Sequence, residues 1–364
     1  MWELDKEKEK KKKKKKKKPS HLLTRYRGFV QAAATLATNI HLPNFLKGSI
    51  YTGGGKAVCV PGLNCYSCPA ATGACPIGSF QAVAGSSKFR FSYYIAGFLI
   101  LFGVLLGRFI CGFLCPFGWF QDLLHKIPCK KLSTEKLKPL TYLKYAVLLF
   151  AVVLLPALIV NDVGMGDPFF CKYICPQGVL EGAIPLAAVN EGIRSALGSL
   201  FTWKLAVLIA IIFLSILFSR PFCKWLCPLG AFYALMNKVS LFGIKVDEHK
   251  CVSCGKCAGA CKMDVDITKT PDHAECIRCG KCISVCPTEA VSFRYGFNLP
   301  KTLSSGNEKP KNDKKSKYVR KRRNNCEIFK SNQTFSNYYD VCACAGPCGV
   351  LRRQNGEEKK QCRY

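Results

Sequence analysis

Two cysteine-rich runs carry the densest chemistry in the chain. CVSCGKCAGAC (251–261) and CIRCGKCISVCP (276–287) each follow the spacing C-x2-C-x2-C-x3-C. Three closely spaced thiolates wrap one iron–sulfur cubane, and the fourth cysteine of each run reaches the other cubane. One [4Fe–4S] site therefore takes Cys251, Cys254, Cys257 and Cys286, and the second takes Cys276, Cys279, Cys282 and Cys261. Gly255 and Gly280 permit the tight loops that turn backbone amides toward the sulfides. Structural zinc is the competing reading, and eight cysteines in this doubled pattern argue against it. Lys262 follows the first run where the second has Pro287. That changes the exit turn and not the ligand set.

A shorter unit, Cys-Pro-x-Gly, occurs four times: CPIGSFQ (75–81), CPFGWFQ (115–121), CPQGVLE (175–181) and CPLGAFY (227–233). The last three have a cysteine four residues earlier, Cys111, Cys171 and Cys223; the first has Cys65 and Cys68 upstream. Repetition of this kind reads as one device used several times. Proline fits the first turn of a helix, so each unit puts a cysteine at a helix N-terminus. Free amides and the positive end of the dipole favour thiolate, and an anionic cluster, at that place. Lys172 and Lys224 add positive charge nearby. FGWFQDLLHKI and LGAFYALMNKV, after Cys115 and Cys227, look like amphipathic interfacial helices.

The elements that must hold these thiols are apolar. The chain has 364 residues, 24 cysteines and 49% hydrophobic residues. Nineteen cysteines lie between residues 59 and 286, mostly in pairs three or four apart, a metal-ligand habit rather than a disulfide one. Segments 91–110, 140–160 and 201–218 are long enough to cross a bilayer. A fourth, 28–45, is interrupted by Asn39 and His41. No secretory signal is evident behind the N-terminal lysine run. Net charge is +31, of which residues 1–20 contribute +7 and residues 298–364 contribute +10. The rest reads as membrane-flanking charge, not a nucleic-acid surface. Four domains follow: a basic disordered tail (1–21), a transmembrane domain (22–244), a compact cluster domain (245–296) and a second basic, disordered tail (297–364). The basic loops put both termini on the cytoplasmic side.

That topology sorts the thiols. Cys111, Cys115, Cys223 and Cys227 fall at the inner face, the number one [4Fe–4S] cluster needs. Cys59, Cys65, Cys68, Cys75, Cys171 and Cys175 fall at the outer face, two more than one cluster needs. For the outer set, a cluster built from Cys65, Cys68, Cys75, Cys171 and Cys175 competes with disulfides. A bilayer core about 30 Å thick makes a single electron hop between faces implausible; either the motifs dip inward or a quinone bridges them. Cys129 reads as a bystander, and the tail cysteines Cys326, Cys342, Cys344, Cys348 and Cys362 repeat no pattern. Trp119, Phe120 and Trp225 read as interfacial anchors. Asp122 and His125 are candidates to take quinol protons, with surface solvation the plainer reading. No C-x-x-C-H or G-x-G-x-x-G is present, which argues against attached haem and a Rossmann nucleotide site.

CVPGLNCYSCPAATGACPIG, CGFLCPFGWFQDLLHKIP, DPFFCKYICPQG and PFCKWLCPLG, followed by the two cysteine runs, resemble the membrane polyferredoxin family. That family includes quinol-dehydrogenase membrane subunits of periplasmic nitrate reductase systems and the membrane core of the nitrous oxide reductase regulator. The resemblance covers roughly residues 22–296. It implies a mainly α protein: a multi-spanning helical domain of about four transmembrane helices, then a small α+β two-cluster ferredoxin domain. It also implies electron transfer between a cytoplasmic ferredoxin-like carrier or the quinone pool and a redox partner such as a reductase subunit. No acid–base or nucleophile constellation marks a stand-alone catalyst. The competing reading is a non-enzymatic redox sensor or an assembly factor for a metalloenzyme, using the same clusters.

Overall fold

The computed structural model describes residues 20–86, 92–162 and 165–296. Residues 1–19 of the first basic tail, all of the second and the five tail cysteines lie outside the described residues. The described residues are mainly helical with one two-stranded sheet.

Among the described residues, two helices are long and apolar enough to cross a membrane, Leu137–Leu158 and Ser199–Leu217. The first changes its hydrogen-bond pattern to π over Leu148–Leu154, just ahead of Pro156, which has no N–H to donate. Two apolar helices are shorter, Tyr93–Leu106 and Val179–Val189.

The segments 91–110 and 28–45 differ from expectation. Tyr93–Leu106 has 14 residues, a rise of about 21 Å against a core of about 30 Å. It stops at Gly107, whose φ of 53° is left-handed. The chain then turns so that Arg108 is fully buried and bonded to Glu275. Segment 28–45 is not one helix. Arg27–Thr38 ends at Asn39, and a separate turn, Asn44–Lys47, follows Pro43. Asn39 bonds back to the Thr35 carbonyl (3.0 Å), an asparagine competing with the backbone for its partners.

The cysteine units start helices as the prolines dictate. Cys75, Cys115 and Cys227 are N-caps of Pro76–Gly85, Pro116–Leu124 and Pro228–Met236. Pro116–Leu124 is not simply interfacial, since Pro116, Phe117, Gly118, Gln121 and Asp122 are buried.

Both four-cysteine runs hang between the strands β1 (Phe242–Val246) and β2 (Val291–Tyr295). These pair antiparallel with Phe242 opposite Tyr295 and Val246 opposite Val291. The loop between them packs on the helical part. Asn237 donates to the carbonyls of His273 and Cys276 (both 2.9 Å), and Arg278 reaches the carbonyls of Leu106 and Asn237 (2.9 and 2.7 Å). Glu275 joins the buried Arg108 and Lys144 in one ion-pair network. Burial alone would raise the Glu275 carboxyl, but Arg108 and Lys144 lower it below its ordinary value. A carboxylate between two buried cations fixes the docking geometry, because removing either partner strands a charge.

Candidate iron–sulfur sites

Cys251, Cys254, Cys257 and Cys286 line one small cavity with Ser253, Gly255 and Pro287. Cys276, Cys279 and Cys261 all lie close enough to Cys282 for their charges to act on it. Gly255 and Gly280 have φ of 71° and 75°, and Ser253 and Arg278 are also left-handed, at 52°. Each C-x-x-C-G loop is thus a run of tight turns around its thiols.

The four Cys-Pro-x-Gly cysteines gather with four upstream cysteines into two groups of four. Cys111, Cys115 and Cys223 all act electrostatically on Cys227. Likewise Cys171, Cys65 and Cys75 act on Cys175. In each unit the glycine three residues after the cysteine turns its amide toward the sulfur; for Gly230 and Cys227 the distance is 3.3 Å. The same amide contact links Gly78 to Cys75, Gly118 to Cys115 and Gly178 to Cys175. A Cβ on Gly118 would stand 2.9 Å from the Cys111 carbonyl oxygen, so that unit has no room for a side chain there.

Two glutamines complete the pattern. Gln81 and Gln121 each lie six residues after a Cys-Pro-x-Gly cysteine and are fully buried. Gln81 Nε2 donates to Cys171 Sγ, and Gln121 Nε2 donates to Cys223 Sγ, both at 3.1 Å. Each glutamine therefore ties its own unit to the unit that completes its group. Four buried or half-buried thiols with N–H donors turned toward them suit an anionic cluster. Among the described residues, no three Cys, His, Asp or Glu side chains converge as a single ion would require. A cubane needs its thiolates farther apart than the about 2.3 Å Zn–S bonds of a zinc centre allow.

Arginines frame the first group. Arg108 and Arg220 each precede a cysteine by three residues, in RFICGFLCP and RPFCKWLCP. They cross over: Arg108 Nη2 donates to the Cys223 carbonyl (3.1 Å), and Arg220 Nη1 donates to the Cys111 carbonyl (2.6 Å). Both guanidiniums are fully buried. Lys224, expected as the local charge, is instead buried and paired with Asp264 at 2.7 Å. Lys172 pairs with Asp167 near the surface.

Asp122 is not a solvated surface group. It is buried and accepts from Arg220 (2.5 and 3.1 Å) and Arg27 (2.7 Å). Burial would raise its carboxyl, but Arg220, Arg27 and Lys262 overcome that and hold it well below the usual carboxylate range. A carboxylate so held does not collect protons near neutral pH. Lys262, the residue after the first run, stands 3.9 Å from Asp122. Trp225 is buried against Phe218 rather than anchored at an interface.

Around the second group the charge differs. Glu181 Oε2 accepts from the Cys65 amide (3.2 Å), and Lys56 and Lys204 stand within electrostatic reach of the Cys65 thiol. Cys68 stands aside, buried with its thiol 3.6 Å from Asn39 Oδ1, and Cys59 contacts Ser79 Oγ at 3.6 Å. Cys129 is exposed. None of the described cysteines forms a disulfide.

The two groups adjoin. Gly62 packs on Cys115, where a Cβ would meet the Cys115 Cα at 3.0 Å. Tyr233 donates to the Pro61 carbonyl (3.0 Å) and lies within electrostatic reach of Cys111, Cys115, Cys75 and Cys59. The ferredoxin run also approaches the first group: the Ile277 carbonyl would lie 2.5 Å from a Cβ on Gly112.

Two 4Fe-4S binding domain models match the chain, one at residues 91–135, 145–184 and 200–246, the other at 270–292. The three stretches of the first each contain one C-x3-C-P-x-G unit. An uncharacterized protein, MJ0750, of Methanocaldococcus jannaschii is 32% identical over 209 residues, covering 55% of this chain and 77% of the relative. The ferredoxin-type protein NapH of Haemophilus influenzae is 27% identical over 180 residues, covering 49% of this chain and 55% of NapH. The regulatory protein NosR of Stutzerimonas stutzeri is 27% identical over 170 residues, covering 44% of this chain and 21% of NosR. The chain thus spans about half of NapH and a fifth of NosR. No solved structure matches. The repeated cysteine units, the paired cysteine runs and these matches place the chain in the family of 4Fe-4S ferredoxin-type membrane electron transport proteins.

Proposed function

We propose that the chain is a membrane-embedded iron–sulfur relay with four cysteine sites in series. Cys251, Cys254, Cys257 and Cys286 hold the first cluster; Cys276, Cys279, Cys282 and Cys261 the second. Cys111, Cys115, Cys223 and Cys227 hold the third, and Cys65, Cys75, Cys171 and Cys175 the fourth. Each [4Fe–4S] cluster, when bound, accepts and releases one electron. The protein's part is to space the sites and keep them dry.

The observation that carries this reading is continuity. Cys254 is exposed, which suits exchange with a cytoplasmic ferredoxin-like carrier. Gly112 and Ile277 bring the second site against the third, and Gly62 and Tyr233 bring the third against the fourth. The cysteine units dip toward one another, so no quinone is needed between them. Quinone or a reductase subunit is instead the partner at an end of the series. Leu137–Leu158 and Ser199–Leu217 cross the cytoplasmic membrane, the shorter apolar helices lie within it, and both termini face the cytoplasm.

Anaerobically purified protein in membranes tests the relay. Its visible absorption should bleach on mixing with quinol or with reduced ferredoxin, and recover with the oxidised form of the other partner. If neither couple exchanges electrons with it, the relay fails and a sensing or assembly role takes its place.

A further inference from the structure

A cavity of about 840 Å³ lies beside the second ferredoxin run and is not used by the cysteine sites as ligand space. Cys279 and Ser284 line one side, and Leu22, Gly28, Trp119 and Leu123 supply apolar wall. Five cations, Arg25, Arg27, Lys126, Lys262 and Lys281, face one carboxylate, Asp122. Asp122 is already committed to Arg27 and Arg220. Arg25, Lys126 and Lys281 have no ion pair among the described residues that would cancel them.

A second, independent observation points to a ligand. Gln31 lines the cavity, is 3% exposed, and its Nε2 has no hydrogen-bond partner; neither has the buried Thr24 Oγ1 on the same lining. An amide N–H, a hydroxyl and a guanidinium together are a donor set for phosphate oxygens. Buried donors of this kind cost about 1–3 kcal/mol each when left unpaired. Leu22 and Leu123, on the wall, are exposed, and so is Phe29 beside Gly28. A ligand that satisfies both halves has a phosphate within and hydrocarbon outside.

We propose that this cavity seats the phosphate headgroup of an anionic phospholipid. The inference rests on the membrane reading above. It places Cys279, on the cavity wall, at the level of the lipid headgroups and fixes the depth of the ferredoxin domain on the membrane surface. Gln31 and Thr24 donate to the phosphate, while Arg25 and Lys126 hold its charge.

Full-length protein in nanodiscs of phosphatidylcholine alone, or with phosphatidylglycerol, tests it by native mass spectrometry of retained lipid. We expect one phosphatidylglycerol retained per chain in preference to phosphatidylcholine. Arg25→Gln with Lys126→Gln should weaken retention about 25-fold, at about fivefold per basic residue. Gln31→Leu, which removes a donor and no charge, should weaken it less, and Lys130→Gln, off the cavity, not at all. Equal retention of the two lipids, or an unaffected double variant, would overturn the proposal. So would displacement of the lipid by millimolar inorganic phosphate, which would mark a site for soluble anions. Iron content and vesicle flotation on the same samples keep the readings apart. A chain that floats with neither lipid breaks the membrane reading itself.

Discussion

The two groups of Cys-Pro-x-Gly cysteines share one plan and differ in charge. Each has four buried or half-buried thiols, glycine amides turned to sulfur, and a buried glutamine donating across the group at 3.1 Å. Around Cys111, Cys115, Cys223 and Cys227 stand two crossed, fully buried arginines. Around Cys65, Cys75, Cys171 and Cys175 stand one carboxyl, Glu181, and two amines, Lys56 and Lys204, whose charges reach the Cys65 thiol. The scaffold comes from the repeat, and the electrostatics come from residues outside it. Positive charge near a cluster favours its reduced form, and a carboxylate opposes it. Arg108 and Arg220 should therefore raise the reduction potential of the first site, and Glu181, when ionised, should lower that of the second.

Removing a ligand is the strongest way to break the comparison. Cys227→Ala should abolish one cluster signal in electron paramagnetic resonance and leave the Glu181-side signal; Cys175→Ala should do the reverse. Loss of both signals from either variant would show one shared site. Next comes Arg220→Leu. It leaves Asp122 with Arg27 and the distant Lys262, so stability should fall by about 3–5 kcal/mol, read as a lowered unfolding midpoint. Glu181→Gln, on the other side, removes no buried ion pair and should cost far less. Smaller still are Gln121→Leu and Gln81→Leu. Each deletes one N–H donor to sulfur and should lower the potential of its own cluster only, measured by redox titration. A shift in the wrong cluster would break the pairing of units. Smallest of all, Cys59→Ser and Cys68→Ser should leave the iron content unchanged, because neither thiol belongs to a group.

Much of the candidate chemistry was legible in the motifs, because ligand spacing is local. The association of Cys111 and Cys115 with Cys223 and Cys227 came from loop charge, a long-range argument that short-range spacing cannot make. The outer set was less legible. Six thiols offered no rule for choosing four, and the choice depends on where Asn39 and Ser79 take up Cys68 and Cys59. The crossed arginines had a signal that went unread: R-x2-C-x3-C-P-x-G occurs twice, at Arg108 and Arg220. The burial of Asp122 had none, since Arg27 and Arg220 lie 95 and 98 residues away from it. Span length misled at 91–110 and 28–45, because composition says nothing of Gly107 turning left-handed or of Asn39 capping its own helix.

The central claim is that the Cys-Pro-x-Gly units are cluster sites and not packing. Iron and acid-labile sulfide per chain, measured on anaerobically purified and fully loaded protein, test it most directly. Four sites predict about 16 iron atoms per chain, whereas the two ferredoxin sites alone would give about 8; the lower count would contradict the account.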